Sequence, residues 1–190
     1  MKLIQIRGCN ASGKTTTVRQ FIEKNNFRSE EIFIKGIRTY ITINQDNSIV
    51  ILGRYDKKTG GCDLFENKKH VLNTIIWLIV NIRPQTIIFE GLIYGLTYKF
   101  ASELSDYVKN YNYKYVGICL YVNPDIAIER LYKRNGGKKI NEQYVFSKTK
   151  SAISAYKKLA LNGYNVKMLD TSNIKENEMF KILEDCINER

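Results

Sequence analysis

An α/β fold, with a mostly parallel sheet covered by helices on both faces, is the class this chain predicts. Three observations carry it. Short apolar runs alternate with longer helix-like stretches, a glycine-rich loop joins the first run to the first helix, and polar residues with glycines gather where the runs end. At 190 residues the chain is expected to form a single domain, 1–190.

The elements follow in order. Residues 2–6 are apolar enough for a buried strand, and the helix after the glycine-rich loop should end near 23–26. Residues 31–35, 39–43 and 48–52 read as short β pieces, the last two split by the turn cluster Asn44-Gln45-Asp46-Asn47. They belong to a β-rich excursion near 31–65. A helix over 66–81 stops before Pro84, whose ring disfavours helical geometry in the residue before it. Residues 85–89 form a buried strand ending at Glu90-Gly91, and a helix over 97–110 leads to another buried strand at 115–122. Pro124 opens a helix that runs to Arg134, because proline fits a first helical turn. Gly136-Gly137 breaks it, a long helix spans 141–161, a last strand spans 165–169, and a closing helix covers 175–188.

The glycine-rich loop is Gly8-Cys9-Asn10-Ala11-Ser12-Gly13-Lys14-Thr15, a complete phosphate-binding P-loop, and Thr16 continues it into the helix. Its glycines let backbone N–H groups turn inward around a phosphate, and the helix dipole adds positive potential. Lys14 reaches the β- and γ-phosphates, while the Thr15 hydroxyl is a ligand for Mg²⁺. The fold class is thereby narrowed to a three-layer P-loop NTPase of nucleotide-kinase type, binding a nucleoside triphosphate.

Composition limits the remaining choices. Met1 leads directly into the first strand, so no signal peptide is expected, and the apolar run 71–82 is interrupted by Asn73, Thr74 and Asn81 and is short for a bilayer. The four cysteines are scattered, and His70 is the lone histidine. A reduced cytoplasmic protein is expected, with nucleotide-bound Mg²⁺ as its metal and no membrane partner. The net charge of +11 is uneven: residues 126–167 carry ten positive charges against two negative. Such a block suits a polyanion, since each neutralised phosphate releases counterions. A lysine-rich solvated surface accounts for it equally well.

Ligands of such sheets sit at the carboxyl ends of the strands. Glu90 ends an apolar strand there and is read as the second acidic group, near Mg²⁺ or the attacking oxygen. Gly53-Arg54-Tyr55-Asp56 and Gly60-Gly61-Cys62-Asp63 are read as an acceptor pocket. In it Arg54 holds a phosphate, Tyr55 stacks on a base and Asp63 approaches a hydroxyl, unless the pair are ordinary β-turns. Arg130 and Arg134 share one helix face before the Gly136-Gly137 hinge. They form a lid-like segment near 130–142 whose cations would neutralise the transferring phosphoryl group. Asp170-Thr171-Ser172 is placed beside the adenine. Triphosphate cradle, metal ligands, lid cations and acceptor pocket make up a kinase's inventory, favoured over a hydrolytic switch or motor that would carry further segments.

The motifs Arg7-Gly8, Gly53-Arg54-Tyr55 with Gly60-Gly61-Cys62-Asp63, Phe89-Glu90-Gly91-Leu92, Glu129-Arg130 with Arg134-Asn135, and Leu169-Asp170 span nearly the whole chain. In these the chain resembles the bacteriophage 5-hydroxymethyl-deoxyuridine (5-hmdU) DNA kinases. The resemblance implies transfer of the ATP γ-phosphate to the hydroxymethyl group of 5-hydroxymethyluracil within DNA, a step in phage DNA base hypermodification in the host cytoplasm. It would make DNA carrying a modified pyrimidine the partner of the basic block, with the base turned out of the stack. Two other readings stand beside it: a deoxynucleoside or deoxynucleoside monophosphate kinase acting on free substrate, and an ATP-dependent DNA-binding module without kinase activity. In the first reading Lys14, Asp63, Glu90, Arg130 and Arg134 are catalytic. Asp63 is the base or orienter and Glu90 the metal-side group, although these two roles are exchangeable.

Overall fold

The computed structural model describes residues 1–56 and 61–189. Its strands are β1 (Lys2–Gly8), β2 (Arg28–Ile34), β3 (Ile37–Ile43), β4 (Ile49–Leu52), β5 (Thr86–Glu90), β6 (Lys114–Tyr121) and β7 (Val166–Asp170). They make one sheet in the order β2-β3-β4-β5-β1-β6-β7. The run from β4 to β7 is parallel, and the two antiparallel pairings are β2 with β3 and β3 with β4. The hairpin therefore extends the sheet edge. Lys35 and Gly36 join β2 to β3 with φ of 51° and 78°, the tight turn whose twist matches flanking strands.

The helices are α1 (Lys14–Lys24), α2 (Lys68–Asn81), α3 (Leu92–Gly95), α4 (Tyr98–Lys109), α5 (Pro124–Arg134), α6 (Glu142–Leu161) and α7 (Lys181–Asn188). Alternation along β1 divides the core. Leu3 points into a cluster with Ile75 of α2, Leu104 of α4 and Leu159 of α6; Ile4 and Ile6 point the other way, toward Val18 and Phe21 of α1 and Leu183 of α7. Two apolar layers thus sandwich the sheet, giving the three-layer arrangement expected. A third cluster, Cys9, Val122, Ala127, Leu131 and Val145, fastens the P-loop to α5 and α6.

Local capping explains the element ends. Asn67, Asn123 and Asn141 accept N–H bonds at the starts of α2, α5 and α6. Arg83, at φ 56°, turns the chain out of α2 just before Pro84. One expectation is corrected and one element is added. The closing helix is interrupted: a 3₁₀ turn at Glu176–Glu178 precedes α7, because Met179 and Phe180 both turn inward, to 4% and 8% exposure. The short helix α3 directly after Glu90 is an element that periodicity did not announce.

Candidate active site

β1 lies between β5 and β6, with Ile6 opposite Glu90 and Gly8 opposite Leu120. Its outgoing chain therefore emerges in the middle of the sheet's carboxyl edge and turns to the α1 face, while the chain leaving β5 turns to α4 on the other face. The loop conformation depends on its glycines. A Cβ at Gly8 (φ 142°) would lie 2.4 Å from the Leu120 carbonyl oxygen, and Gly13 starts α1 at φ 92°. Ala11 takes a left-handed φ of 57°, which is uncommon without glycine and is held by its surroundings. The Ser12 hydroxyl donates to Cys9 O at 2.9 Å, and the Lys14 ammonium donates to the same oxygen at 2.7 Å.

A cavity of about 570 Å³ opens above this loop. Asn10, Ala11, Gly13, Lys14, Thr15 and Thr16 form its floor; Asp63, Glu90 and Leu92 line one wall, and Arg130, Lys133 and Arg134 another. Ile174 and Met179 complete it. The structure therefore brings the P-loop, both proposed carboxylates and both proposed arginines to one cavity.

The two acids differ in setting. Glu90 is 1% exposed, and its carboxylate accepts a bond of 3.0 Å from the Thr15 hydroxyl. Burial pushes its carboxyl up to about 7, although the Lys14 ammonium and the Thr15 bond pull the other way. Asp63 is exposed at the rim, within the 3₁₀ turn Gly61–Leu64, and accepts the Leu92 N–H at 3.3 Å. Thr15 and Glu90 together offer the hard oxygen donors that suit Mg²⁺, beside the loop that would hold its phosphates.

The glycine motif has a structural cause. A Cβ on Gly53 (φ 91°) would meet Gly61 O at 2.5 Å, and one on Gly61 (φ 65°) would meet a Glu90 carboxylate oxygen at 2.5 Å. Three chain segments thus stack backbone to backbone and hold Glu90 and Asp63 in place. Gly60 of the same run lies outside the described residues.

Arg54 and Tyr55 do not join the cavity. Tyr55 is 7% exposed and packs in the cluster with Phe21 and Ile51, so its ring has no free face for a base. Arg54 pairs with Asp56, lies over the Tyr40 ring at 4.9 Å and lines a separate cavity of about 270 Å³ with Arg38. The physical reason is that neighbours along an extended chain point to opposite sides.

Several contacts around the cavity have no counterpart in the sequence motifs. Arg130 is moored on backbone carbonyls: its guanidinium donates to Ala11 O at 3.3 Å, Thr171 O at 2.9 Å and Ser172 O at 3.1 Å. The Thr171 hydroxyl donates to Ser12 O at 3.0 Å, so the end of β7 braces the loop. On the other side, buried Arg7 donates to the Gln5 amide oxygen at 2.8 Å and to Thr97 O at 3.2 Å, while the Gln5 amide donates to Tyr94 O at 3.0 Å. This network ties β1 to the segment that presents Leu92. Polar residues at alternate positions of an otherwise apolar strand were the available signal.

Comparison with known proteins places this geometry. The sequence profile of the 5-hmdU DNA kinase matches residues 1–166. The 5-hmdU DNA kinase of Pseudomonas phage M6 is 26% identical over 172 residues, which is 88% of this chain and 90% of that protein. That of Bacillus phage SP10 is 29% identical over 137 residues, 70% of this chain but 21% of the longer relative. That of Delftia phage PhiW-14 is 30% identical over 123 residues, 60% of this chain and 45% of its own length. Among solved structures, Bacillus subtilis YorR in complex with phosphorylated GDP superposes with a TM-score of 0.58 at 15% identity, covering 98% of this chain and 95% of that one. The M. mycoides deoxyadenosine kinase with bound dATP superposes at 0.51 and 18% identity, covering 98% and 100%. These two establish the P-loop kinase fold alone. With the profile running through the P-loop, the glycine stack, Glu90 and α5, the chain belongs to the 5-hmdU DNA kinase family.

Proposed function

We propose that this chain transfers the γ-phosphate of ATP to the hydroxymethyl group of 5-hydroxymethyluracil in DNA. The observation that carries the reading is the single cavity in which the P-loop, two carboxylates and three cations converge, in a chain of this family. The hydroxymethyl oxygen attacks the γ-phosphorus, the bond from that phosphorus to the β–γ bridging oxygen breaks, and ADP leaves. The hydroxyl proton passes to the Asp63 carboxylate, which stands at the open rim where an acceptor enters. Lys14 holds the β- and γ-phosphates, and residues Gly8 to Thr16 cradle them through backbone N–H groups.

Thr15 and Glu90 would hold Mg²⁺, which when bound neutralises phosphate charge. Arg134 and Lys133 face the transferring group from α5. Arg130 supports the loop through Ala11 and adds its charge to the same wall.

The test supplies γ-labelled ATP and Mg²⁺ with DNA containing 5-hydroxymethyluracil, ordinary DNA, and free deoxynucleosides with their monophosphates. Label confined to the modified DNA is expected. Label in free nucleosides or nucleotides instead would overturn the DNA acceptor and make the chain a salvage-type kinase. ATP-dependent DNA binding with no labelled acceptor would overturn the transferase reading.

A further inference from the structure

A second cavity, about 400 Å³ and open along its length, runs between α6 and the residues that start α4. Leu96 and Tyr98 form one side, and Lys150, Ser151, Ser154 and Lys158 of α6 form the other. Tyr98 is held by an edge contact with Tyr164, at 6.3 Å between ring centres. Among the described residues no acidic side chain lines this groove, and neither Lys150 nor Lys158 is in an ion pair. Both lysines and both serines are exposed. Eight residues of helix separate the lysines by about 12 Å, the reach of a few nucleotides at about 3.4 Å of rise each. Small serines between them let a backbone approach closely, and their hydroxyls can donate to phosphate oxygens. The amino-terminal end of α4, at Tyr98, adds partial positive charge to the same trough.

Position connects the groove to the chemistry. Leu92 lines the P-loop cavity and Leu96 lines the groove, about one helical turn further along. The groove therefore opens beside the wall that carries Asp63 and Glu90. We infer that it grips the sugar–phosphate backbone of the acceptor DNA next to the target nucleotide, whose base passes Leu92 into the P-loop cavity. This inference rests on the DNA-acceptor reading above. It assigns part of the surplus positive charge to a defined track: α6 carries Lys148, Lys150, Lys157 and Lys158 against Glu142 alone.

The experiment compares the Lys150→Ala/Lys158→Ala protein with a charge-matched control, Lys35→Ala/Lys114→Ala. Lys35 lies in the β2–β3 turn and Lys114 starts β6 at the opposite, amino edge of the sheet. Binding of a labelled oligonucleotide containing 5-hydroxymethyluracil is followed by anisotropy across a salt series. The groove variant should lower the slope of log affinity against log salt by about 1.4 on single strands or about 1.8 on duplex. Its KM for the oligonucleotide should rise about tenfold, with kcat and the KM for ATP unchanged; the control should leave all of these near wild type. Equal effects from the two pairs, or an unchanged slope in the groove variant, would overturn the groove assignment. Failure of the wild-type protein to label the oligonucleotide would instead overturn the proposed function, and the salt slopes would still judge the groove. Because all four lysines are exposed, matched melting temperatures verify that folding is not the cause.

Discussion

Glu90→Gln separates what the active site needs from what the fold prefers. Glu90 is 1% exposed, and burial raises its carboxyl from 4.5 to about 7. Glutamine keeps the shape, and its amide oxygen can still accept the Thr15 bond, but it carries no charge to bury. A carboxyl whose folded pKa lies above its unfolded value stabilises the fold below the unfolded value and loses that contribution as pH rises through the folded one. The window is therefore about pH 4.5 to 7. The full displacement corresponds to about 3 kcal/mol, of which about 1 kcal/mol is already lost at pH 5. Urea denaturation of nucleotide-free protein should show Glu90→Gln more stable than wild type by about 1 kcal/mol at pH 5 and about 3 kcal/mol at pH 8. Phosphoryl transfer should be lost at both. A stability difference that does not grow with pH would refute the claim that Lys14 and Thr15 only partly offset the burial of ionised Glu90 in the nucleotide-free protein.

Lys14→Ala should abolish transfer while the urea midpoint stays near wild type; unchanged turnover would remove the P-loop from the mechanism. Asp63→Asn should lower kcat by at least about 100-fold with ATP affinity within about twofold, measured by steady-state kinetics and calorimetry. If it retains near-normal transfer, Asp63 is not the base. Gly61→Ala adds a Cβ 2.5 Å from a Glu90 carboxylate oxygen at φ 65°, so a loss of about 1–3 kcal/mol and a displaced Glu90 are expected. Wild-type stability and turnover in that variant would contradict the close stacking. Arg130→Ala releases three carbonyls, at Ala11, Thr171 and Ser172, and should weaken binding of a non-hydrolysable ATP analogue about tenfold or more. Unchanged nucleotide affinity with reduced kcat would make Arg130 a transition-state cation alone.

The misread residues show where pattern stops informing. Arg54 and Tyr55 stand beside Gly53 and resemble pocket residues because they are polar or aromatic next to a turn. Tyr55 turns into the core with Phe21, and Arg54 turns out toward Asp56 and Tyr40. One position of alternation decides this, and a composition cue cannot count it. The glycines of the same stretch mark turns in the sequence, yet Gly53 and Gly61 matter through contact with each other and with Glu90. Spacing puts Arg130 on one helix face with Arg134, and only the fold brings carbonyls from the P-loop and the end of β7 onto it.

What the sequence alone determined is what local chemistry determines. Consecutive glycine, lysine and threonine positions define the P-loop, apolar runs define the parallel strands, and an acid at the end of a buried run marks Glu90. Each is a property of a few adjacent residues, so no distant contact is needed to read it. Tertiary structure alone decided that Asp63 and Leu92 share a wall, that Arg7 and Gln5 fasten the segment after Glu90, and that Lys150 and Lys158 flank one groove. Those facts depend on which strands neighbour β1 and on which side of the sheet each crossover packs. Such pairings are fixed by burial of the whole sheet's two faces, and only the folded chain brings their residues within reach of one another.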